Sequence, residues 1–265
     1  SRPTACTRAG RSACASSRPT STSFRATARC AERATRESAL SGPRTGLYGG
    51  SFNPVHYGHL RAAEEVRERA ALDEIWLLPA HQPPHKGPRD MAPAADRRRM
   101  LELALDATPG MRIEPIELER TGPSYTIDTL HLLKARHPER RFALVLGLDA
   151  FRELHTWHRF TELPGECDLV VTSRPPDLVE PGPDALERAT NSIAVRQAFR
   201  YVPDIRSFRH FSGNRLDFVP VTAIDISASA IRAAVSAGRS IRFLTPEPVA
   251  AYIRAHGLYG PAETP

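Results

Sequence analysis

Two histidines three residues apart, His56 and His59, close a stretch whose residue types suit phosphate chemistry: Gly46-Leu47-Tyr48-Gly49-Gly50-Ser51-Phe52-Asn53-Pro54-Val55-His56-Tyr57-Gly58-His59-Leu60. It opens as an apolar run, passes a glycine pair, and runs at once into a helical pattern over 60–69. The order reads as strand, tight turn, helix. Glycines at a strand end let the backbone approach a ligand that a side chain would exclude. The N-terminus of the following helix offers N–H groups and a positive dipole end, which attract phosphate. Two imidazoles add hydrogen bonds to phosphate oxygens with no carboxylate among them to repel the ligand. A lone histidine is more often structural, but a pair in this setting points to a nucleotide-phosphate site at the first strand-helix turn.

A second set of anion-binding types stands late in the chain, in Asp225-Ile226-Ser227-Ala228-Ser229-Ala230-Ile231-Arg232. Hydroxyls and N–H groups at a helix start, with Arg232 one turn in, make a second phosphate site, although helix capping alone also accounts for Asp225, Ser227 and Ser229. A third set is Thr121-Gly122-Pro123-Ser124-Tyr125-Thr126-Ile127-Asp128-Thr129-Leu130, a helix led in by a Gly-Pro turn. Trp157 follows Gly147-x-Asp149 in the pattern GxDxxxxxxxW and offers a stacking wall for a flat ring. Pro83-Pro84-His85-Lys86 and Ser173-Arg174-Pro175 follow other strands, whereas Arg97, Arg98 and Arg99 read as an exposed helix face.

The elements that must position these residues alternate. Strands are expected over 47–51, 74–79, 111–118, 141–147, 168–172 and 216–221. Helices are expected over 60–69, 95–106, 125–136, 149–155, from Ser227, and over 246–256 up to Gly257. Strands that are continuously apolar and alternate with helices predict an α/β fold with a doubly wound, Rossmann-like, mostly parallel sheet. Such a sheet binds ligands at the carboxyl ends of its strands, where these motifs fall. Residues 176–215 read as an insertion with a linker, a helix around 185–199 and a polar loop at Ser212-Gly213-Asn214.

Gly49 to His59 resembles the signature of the nucleotidyltransferase superfamily that carries the (H/T)xGH motif. Asp225 to Arg232 is similar to that superfamily's ISxSxIR motif, and Pro123-Ser124-Tyr125-Thr126 and Trp157 narrow the likeness to the bacterial nicotinate-mononucleotide adenylyltransferases. The likeness covers nearly all of 45–259, including Leu244 to Val249, and is poor across 176–215. It implies adenylyl transfer from ATP, with Mg²⁺, to nicotinate mononucleotide. In that reading His56, His59, Arg232 and Lys86 are catalytic. Gly49, Gly50, Ser51, Phe52, Gly147, Asp149, Arg174, Ile226 and Ser227 join His56, His59 and Arg232 around ATP. Ser51, Lys86, Tyr125, Thr126, Trp157 and His158 hold the nicotinate nucleotide, with His158 where a tyrosine is commoner. Asn53 stands where relatives often have Asp, so no carboxylate role is carried to it. No protein metal cage is implied, and Mg²⁺ would ride on ATP oxygens and water.

Pantetheine-phosphate adenylyltransferase shares both phosphate motifs but is not expected to carry Pro-Ser-Tyr-Thr or the Trp157 segment. An aminoacyl-tRNA synthetase would need a KMSKS-like lysine loop and a tRNA-binding domain. A non-catalytic nucleotide sensor is the reading from another class, and turnover separates it.

The 265 residues carry a formal charge of +6. Nine arginines against Glu32 and Glu37 give residues 1–45 a charge of +7, so the rest carries −1 and presents no basic surface for nucleic acid. Rich in Ser, Thr, Ala and Arg, residues 1–44 are expected to be a disordered extension, although the composition also fits a transit peptide. A single domain is expected over 45–260, then a short tail over 261–265. Three of the four cysteines lie in the extension and Cys167 alone in the body, which argues a reducing, cytoplasmic setting. No apolar run approaches the ~20 residues that cross a bilayer. Homo-oligomerisation is compatible with this reading.

Overall fold

The computed structural model describes residues 42–81, 91–120, 122 and 124–260. The expected extension and tail lie outside the described residues. The strands are β1 (Arg44–Gly50), β2 (Glu74–Pro79), β3 (Met111–Ile113), β4 (Arg141–Gly147), β5 (Asp168–Ser173), β6 (Phe199–Val202), β7 (Ser207–His210) and β8 (Arg215–Pro220). The longer helices are α1 (Tyr57–Arg69), α2 (Ala94–Leu105), α3 (Thr126–Arg136), α8 (Ala228–Ser236) and α9 (Glu247–Ala255). Between them lie the short helices α4 (Leu148–Arg152), α5 (Leu163–Glu166), α6 (Ala185–Ala189) and α7 (Ile193–Ala198).

The sheet order is β3-β2-β1-β4-β5-β8-β7-β6. From β3 to β8 every pairing is parallel, while β8-β7 and β7-β6 are antiparallel. This is the Rossmann-like sheet expected from the alternation of elements. Successive residues of the central strands feed opposite layers, as the two-residue period of a strand requires. Ile75, Leu77, Ala143 and Val145 pack with Val66 of α1, Met100 and Leu101 of α2, Ile231 of α8 and Val249 of α9. Trp76, Leu78, Leu144 and Leu146 pack on the other side with Ile127, Leu130 and Leu133 of α3 and Phe151 of α4. Each such aliphatic side chain contributes roughly 1.5–3 kcal/mol by leaving water, so both faces are anchored.

Three expectations need correction. The strand expected over 111–118 stops at Ile113; Glu114 N–H still reaches the Leu77 carbonyl (2.9 Å), but Pro115 has no N–H and opens a 3₁₀ turn, Pro115–Glu117. The helix expected around 185–199 is two helices, because the Ser192 hydroxyl caps a fresh start by accepting from Val195 N–H (3.4 Å). The stretch 176–215 is more than an insertion loop. Its β6-β7 hairpin adds two antiparallel strands to the sheet.

Candidate active site

The order of the strands reverses beside β1, with β2 on one side and β4 on the other, while all three run parallel. A cavity of about 410 Å³ opens at that point, between the carboxyl ends of β1 and β4. Its walls include Tyr48 to Ser51 from β1, Leu144 to Gly147 from β4, Ser124 to Thr126 before and at the start of α3, and Trp157 and His158. A crevice at a topological switch point is where an open α/β sheet takes its ligand.

Gly50 is glycine for a packing reason. A Cβ there would lie 3.1 Å from the Phe52 ring, which turns back under the strand end with φ 43°. That ring is buried and packs against Tyr48 and, edge-on, against His59 at 5.1 Å. Phe52 therefore supports the site from beneath and does not line the cavity.

His56 is the N-cap residue of α1, and its carbonyl accepts from His59 N–H (2.9 Å) and Leu60 N–H (3.2 Å). The first turn is less open than the sequence implies, since Tyr57 N–H goes to the Leu244 carbonyl (3.2 Å). The rings of His56 and His59 stack with centroids 3.7 Å apart and planes 26° from parallel. His56 is 6% exposed, and its Nδ1 has no hydrogen-bond partner among the described residues. Burial, and then the positive charge of Arg174, pull its pKa down to about 4, so the ring is neutral at pH 7. Stacked imidazoles this close resist a second positive charge in any case. Arg174 also opposes the upward push of burial on the Tyr48 hydroxyl, so its charge is felt by both groups.

The second motif meets the first directly. Arg232, one turn into α8, donates from Nη1 to the Asn53 carbonyl (2.8 Å) and from Nη2 to Ser229 Oγ (3.3 Å). The Ile226 carbonyl lies 3.5 Å from where a Cβ on Gly58 would stand, and that Cβ would also come within 3.0 Å of His56 Nδ1. Gly58 is thus the gap through which the two motifs close. Ser227 Oγ accepts from Ala230 N–H (3.1 Å), so its hydroxyl serves as the cap of α8. On α1, the buried Glu65 accepts from Thr222 N–H (2.9 Å) and pairs with Arg61 (2.6 Å), fixing the connection that leads into α8.

At the far wall, Tyr125 is the N-cap residue of α3 and makes no side-chain cap; its ring packs against His158 with centroids 4.4 Å apart and planes tilted by 33°. Trp157 is half-buried against the core. Among the described residues no group of three or more His, Cys, Asp or Glu side chains is placed to hold a metal ion. No helix among them is long and apolar enough to cross a membrane.

The cytidylyltransferase-like family model matches residues 47–234, from within β1 to the last turn of α8. A probable nicotinate-nucleotide adenylyltransferase of Syntrophotalea carbinolica is 41% identical over 216 residues, which cover 82% of this chain and 97% of the relative. A Pseudomonas aeruginosa protein of the same name is 42% identical over 219 residues, covering 82% and 98%. This chain belongs to the nicotinate-nucleotide adenylyltransferase family. Among solved structures, Plasmodium falciparum nicotinic acid mononucleotide adenylyltransferase complexed with NaAD matches with a TM-score of 0.59 at 19% identity, over 82% of this chain and 97% of that one. That likeness concerns the fold.

About half of the residues expected of an adenylyltransferase meet at this cavity. Gly49, Gly50, Ser51, Gly147, Tyr125, Thr126, Trp157 and His158 line the cavity, and His59 packs on its Tyr48 wall. Asp149 does not join them; its side chain is 94% exposed and its nearest cation is Arg152 at 3.8 Å. Lys86 lies outside the described residues. The exposed arginine face holds for Arg98 and Arg99 only. Arg97 is 1% exposed and donates to three carbonyls: Ala92 (3.1 Å), Ser51 (2.8 Å) and His81 (3.2 Å). It fastens the turn after β1 to the start of α2. The signal was present in the helix phase, because Arg97 shares a face with Met100 and Leu101. Tyr259 joins the same turn from the far end of the chain: its hydroxyl donates to Asn53 Oδ1 (2.7 Å), which accepts Ala92 N–H as well (3.0 Å). Asn53 is an acceptor there, a task that an Asp would also perform.

Proposed function

We propose that this chain transfers the adenylyl group of ATP to nicotinate mononucleotide, releasing pyrophosphate and forming nicotinate adenine dinucleotide, a step of NAD biosynthesis. A phosphate oxygen of the mononucleotide attacks the α-phosphorus in line. The bond from that phosphorus to the bridging oxygen of the β-phosphate breaks, and pyrophosphate leaves with the electron pair. Such chemistry needs no protein nucleophile and is accelerated by positioning and by charge placed where the transition state develops it.

The observation that carries the reading is the bond from Arg232 to Asn53 that joins the two phosphate motifs, beside a cavity lined by Gly49, Gly50 and Ser51 and suited to a flat ring. His59 and Arg232 would stabilise charge on the transferred group, while neutral His56 donates one hydrogen bond and Arg174 supplies cationic field beside it. ATP would approach from the Gly49-Gly50 turn and α8. The pyridine ring would enter between Tyr125, Trp157 and His158, its carboxylate meeting N–H groups at the start of α3, where an anion is favoured over a neutral amide. ATP would bring Mg²⁺ on its own oxygens. The imidazoles and guanidinium groups around the site suit phosphate better than a hard cation, and the ion would neutralise charge on the leaving pyrophosphate.

The test is pyrophosphate release by the purified chain with Mg-ATP and, in parallel, nicotinate mononucleotide, nicotinamide mononucleotide or phosphopantetheine. Release with the nicotinate compound, and far less with the others, is expected. Release with phosphopantetheine alone would contradict the roles given to Tyr125 and Trp157. ATP binding without release from any of the three would support the sensor.

A further inference from the structure

A buried acid stands in the cavity wall and takes no part in the phosphate chemistry. Glu117 ends the 3₁₀ turn that Pro115 forces after β3, and it is buried while still lining the cavity beside Ser124 to Thr126. Its Oε1 accepts from Thr129 Oγ1 (3.0 Å), and the nearby Ser124 hydroxyl also favours the charged form of the acid. These two donors bracket the Tyr125–Thr126 segment. Ser124 immediately precedes it, and Thr129 lies one turn into α3. One side chain thus grips the chain on both sides of the peptide that, in the proposed function, reads the pyridine substituent.

A carboxylate is the side chain that can do this. It is acceptor-only, with lone pairs for both hydroxyls, whereas an amide of the same size presents one oxygen and one donor group. Burial pushes the Glu117 carboxyl above the ordinary carboxylate range, against the two hydroxyls and the charge of Arg120. The Nη1 of Arg120 is buried with no hydrogen-bond partner among the described residues, so this cation has donor capacity left there. The acid therefore stays compatible with a second anion a few residues away. α3 has no side-chain cap of its own.

We infer that Glu117 is a positioning residue for the pyridine end of the substrate, holding the Tyr125–Thr126 segment in the geometry that separates a carboxylate from a carboxamide. This rests on the adenylyl-transfer reading and goes one step further into it. Its loss misplaces the reading edge while the phosphate site stays assembled, so it acts on binding of one substrate and not on the chemical step.

The experiment is steady-state kinetics of Glu117→Ala and Glu117→Gln with nicotinate and nicotinamide mononucleotides, alongside thermal unfolding. Glu117→Ala should raise KM for the nicotinate compound about tenfold or more and leave kcat within about threefold. KM for ATP should not move, and the preference for nicotinate over nicotinamide should shrink by a similar factor; one lost charge-assisted hydrogen bond has this magnitude. Glu117→Gln keeps one acceptor and should recover much of the KM and of the preference. If Glu117→Ala fails to fold, Thr129→Val removes one donor and should shift KM and preference in the same direction by a smaller factor. Variants with wild-type KM and preference, or with kcat lost equally for both substrates, would overturn the inference. Failure of the wild-type chain to use nicotinate mononucleotide would instead overturn the reading beneath it.

Discussion

The Arg232 guanidinium donates to the main-chain carbonyl of Asn53 at 2.8 Å, joining residues 179 apart in sequence. Through that bond the helix that opens on Ser227 is docked onto the turn that carries the two histidines. The sheet makes the meeting geometrically natural, since β1 and β8 both end on the same rim. The contact also holds a cation against the turn between β1 and α1, and two of the guanidinium's five N–H donors are used in its bonds to Asn53 and Ser229.

Replacing Arg232 should therefore cost both assembly and charge. Arg232→Lys keeps a charge but has no planar fork to serve Asn53, Ser229 and a ligand together. We expect Arg232→Ala to lower kcat/KM about 100-fold or more, as loss of one preorganised charge stabiliser does. Arg232→Lys should regain less than a tenth of that activity. Steady-state kinetics with ATP as the varied substrate checks both.

Gly58→Ala tests the closeness of the two motifs without removing a functional group. The added methyl would stand 3.0 Å from His56 Nδ1 and 3.5 Å from the Ile226 carbonyl. Either the imidazole or the start of α8 must give way, and a displacement well under 1 Å at a phosphoryl-transfer site is enough to lower turnover. Alanine is the better helix former, so thermal stability should hold or fall only slightly while kcat falls at least tenfold. An unchanged kcat would mean that the spacing of the motifs is not critical.

Arg97 makes a stability prediction. Arg97→Met matches the length of the aliphatic stem but leaves the carbonyls of Ser51, His81 and Ala92 without their donor. Unsatisfied buried groups cost roughly 1–3 kcal/mol each, so a loss of about 3 kcal/mol or more in denaturant unfolding is expected after relaxation. Arg98→Met, on the exposed side of the same turn, should stay within about 0.5 kcal/mol.

His56 gives a pH signature. Its folded pKa of about 4 lies below the 6.5 of a free imidazole, so the unfolded chain binds more protons between those values. The neutral ring's contribution to stability is present above about pH 6.5, declines as pH falls, and is gone below about 4. Imidazole resonances followed by NMR should show His56 neutral through pH 6. Arg174→Ala should raise its pKa, because the guanidinium is the second cause of the depression after burial. A midpoint near 6.5 in the folded protein would contradict the buried geometry.

What could be read in the sequence was what a short window contains. β2 and β4 are continuous apolar runs, and the phosphate motifs are local successions of glycine, histidine, serine and arginine; each was placed within a residue or a few. What could not be read depended on partners far along the chain. Arg97 differs from Arg98 and Arg99 only in helix phase. In the β6-β7 hairpin, Arg200, Ser207 and Arg209 interrupt the apolar pattern of a short antiparallel edge, so the stretch looks like a polar loop. Glu117 is one of three glutamates in Glu114-Pro115-Ile116-Glu117-Leu118-Glu119, and what sets it apart, its place beside Ser124 and Thr129, appears only once Pro115 has turned the chain.

His59→Ala is the most direct test of the account. The histidine stacks on His56 at 3.7 Å, above the Phe52 ring and beside the Tyr48 wall of the cavity, and the account assigns it to the charge that develops on the transferred phosphoryl group. Single-turnover formation of nicotinate adenine dinucleotide should fall by about 10²–10³ or more, while the dissociation constant for ATP changes by less than about threefold. Turnover at the wild-type rate would remove His59 from the mechanism and, with it, the role given to this pair of histidines.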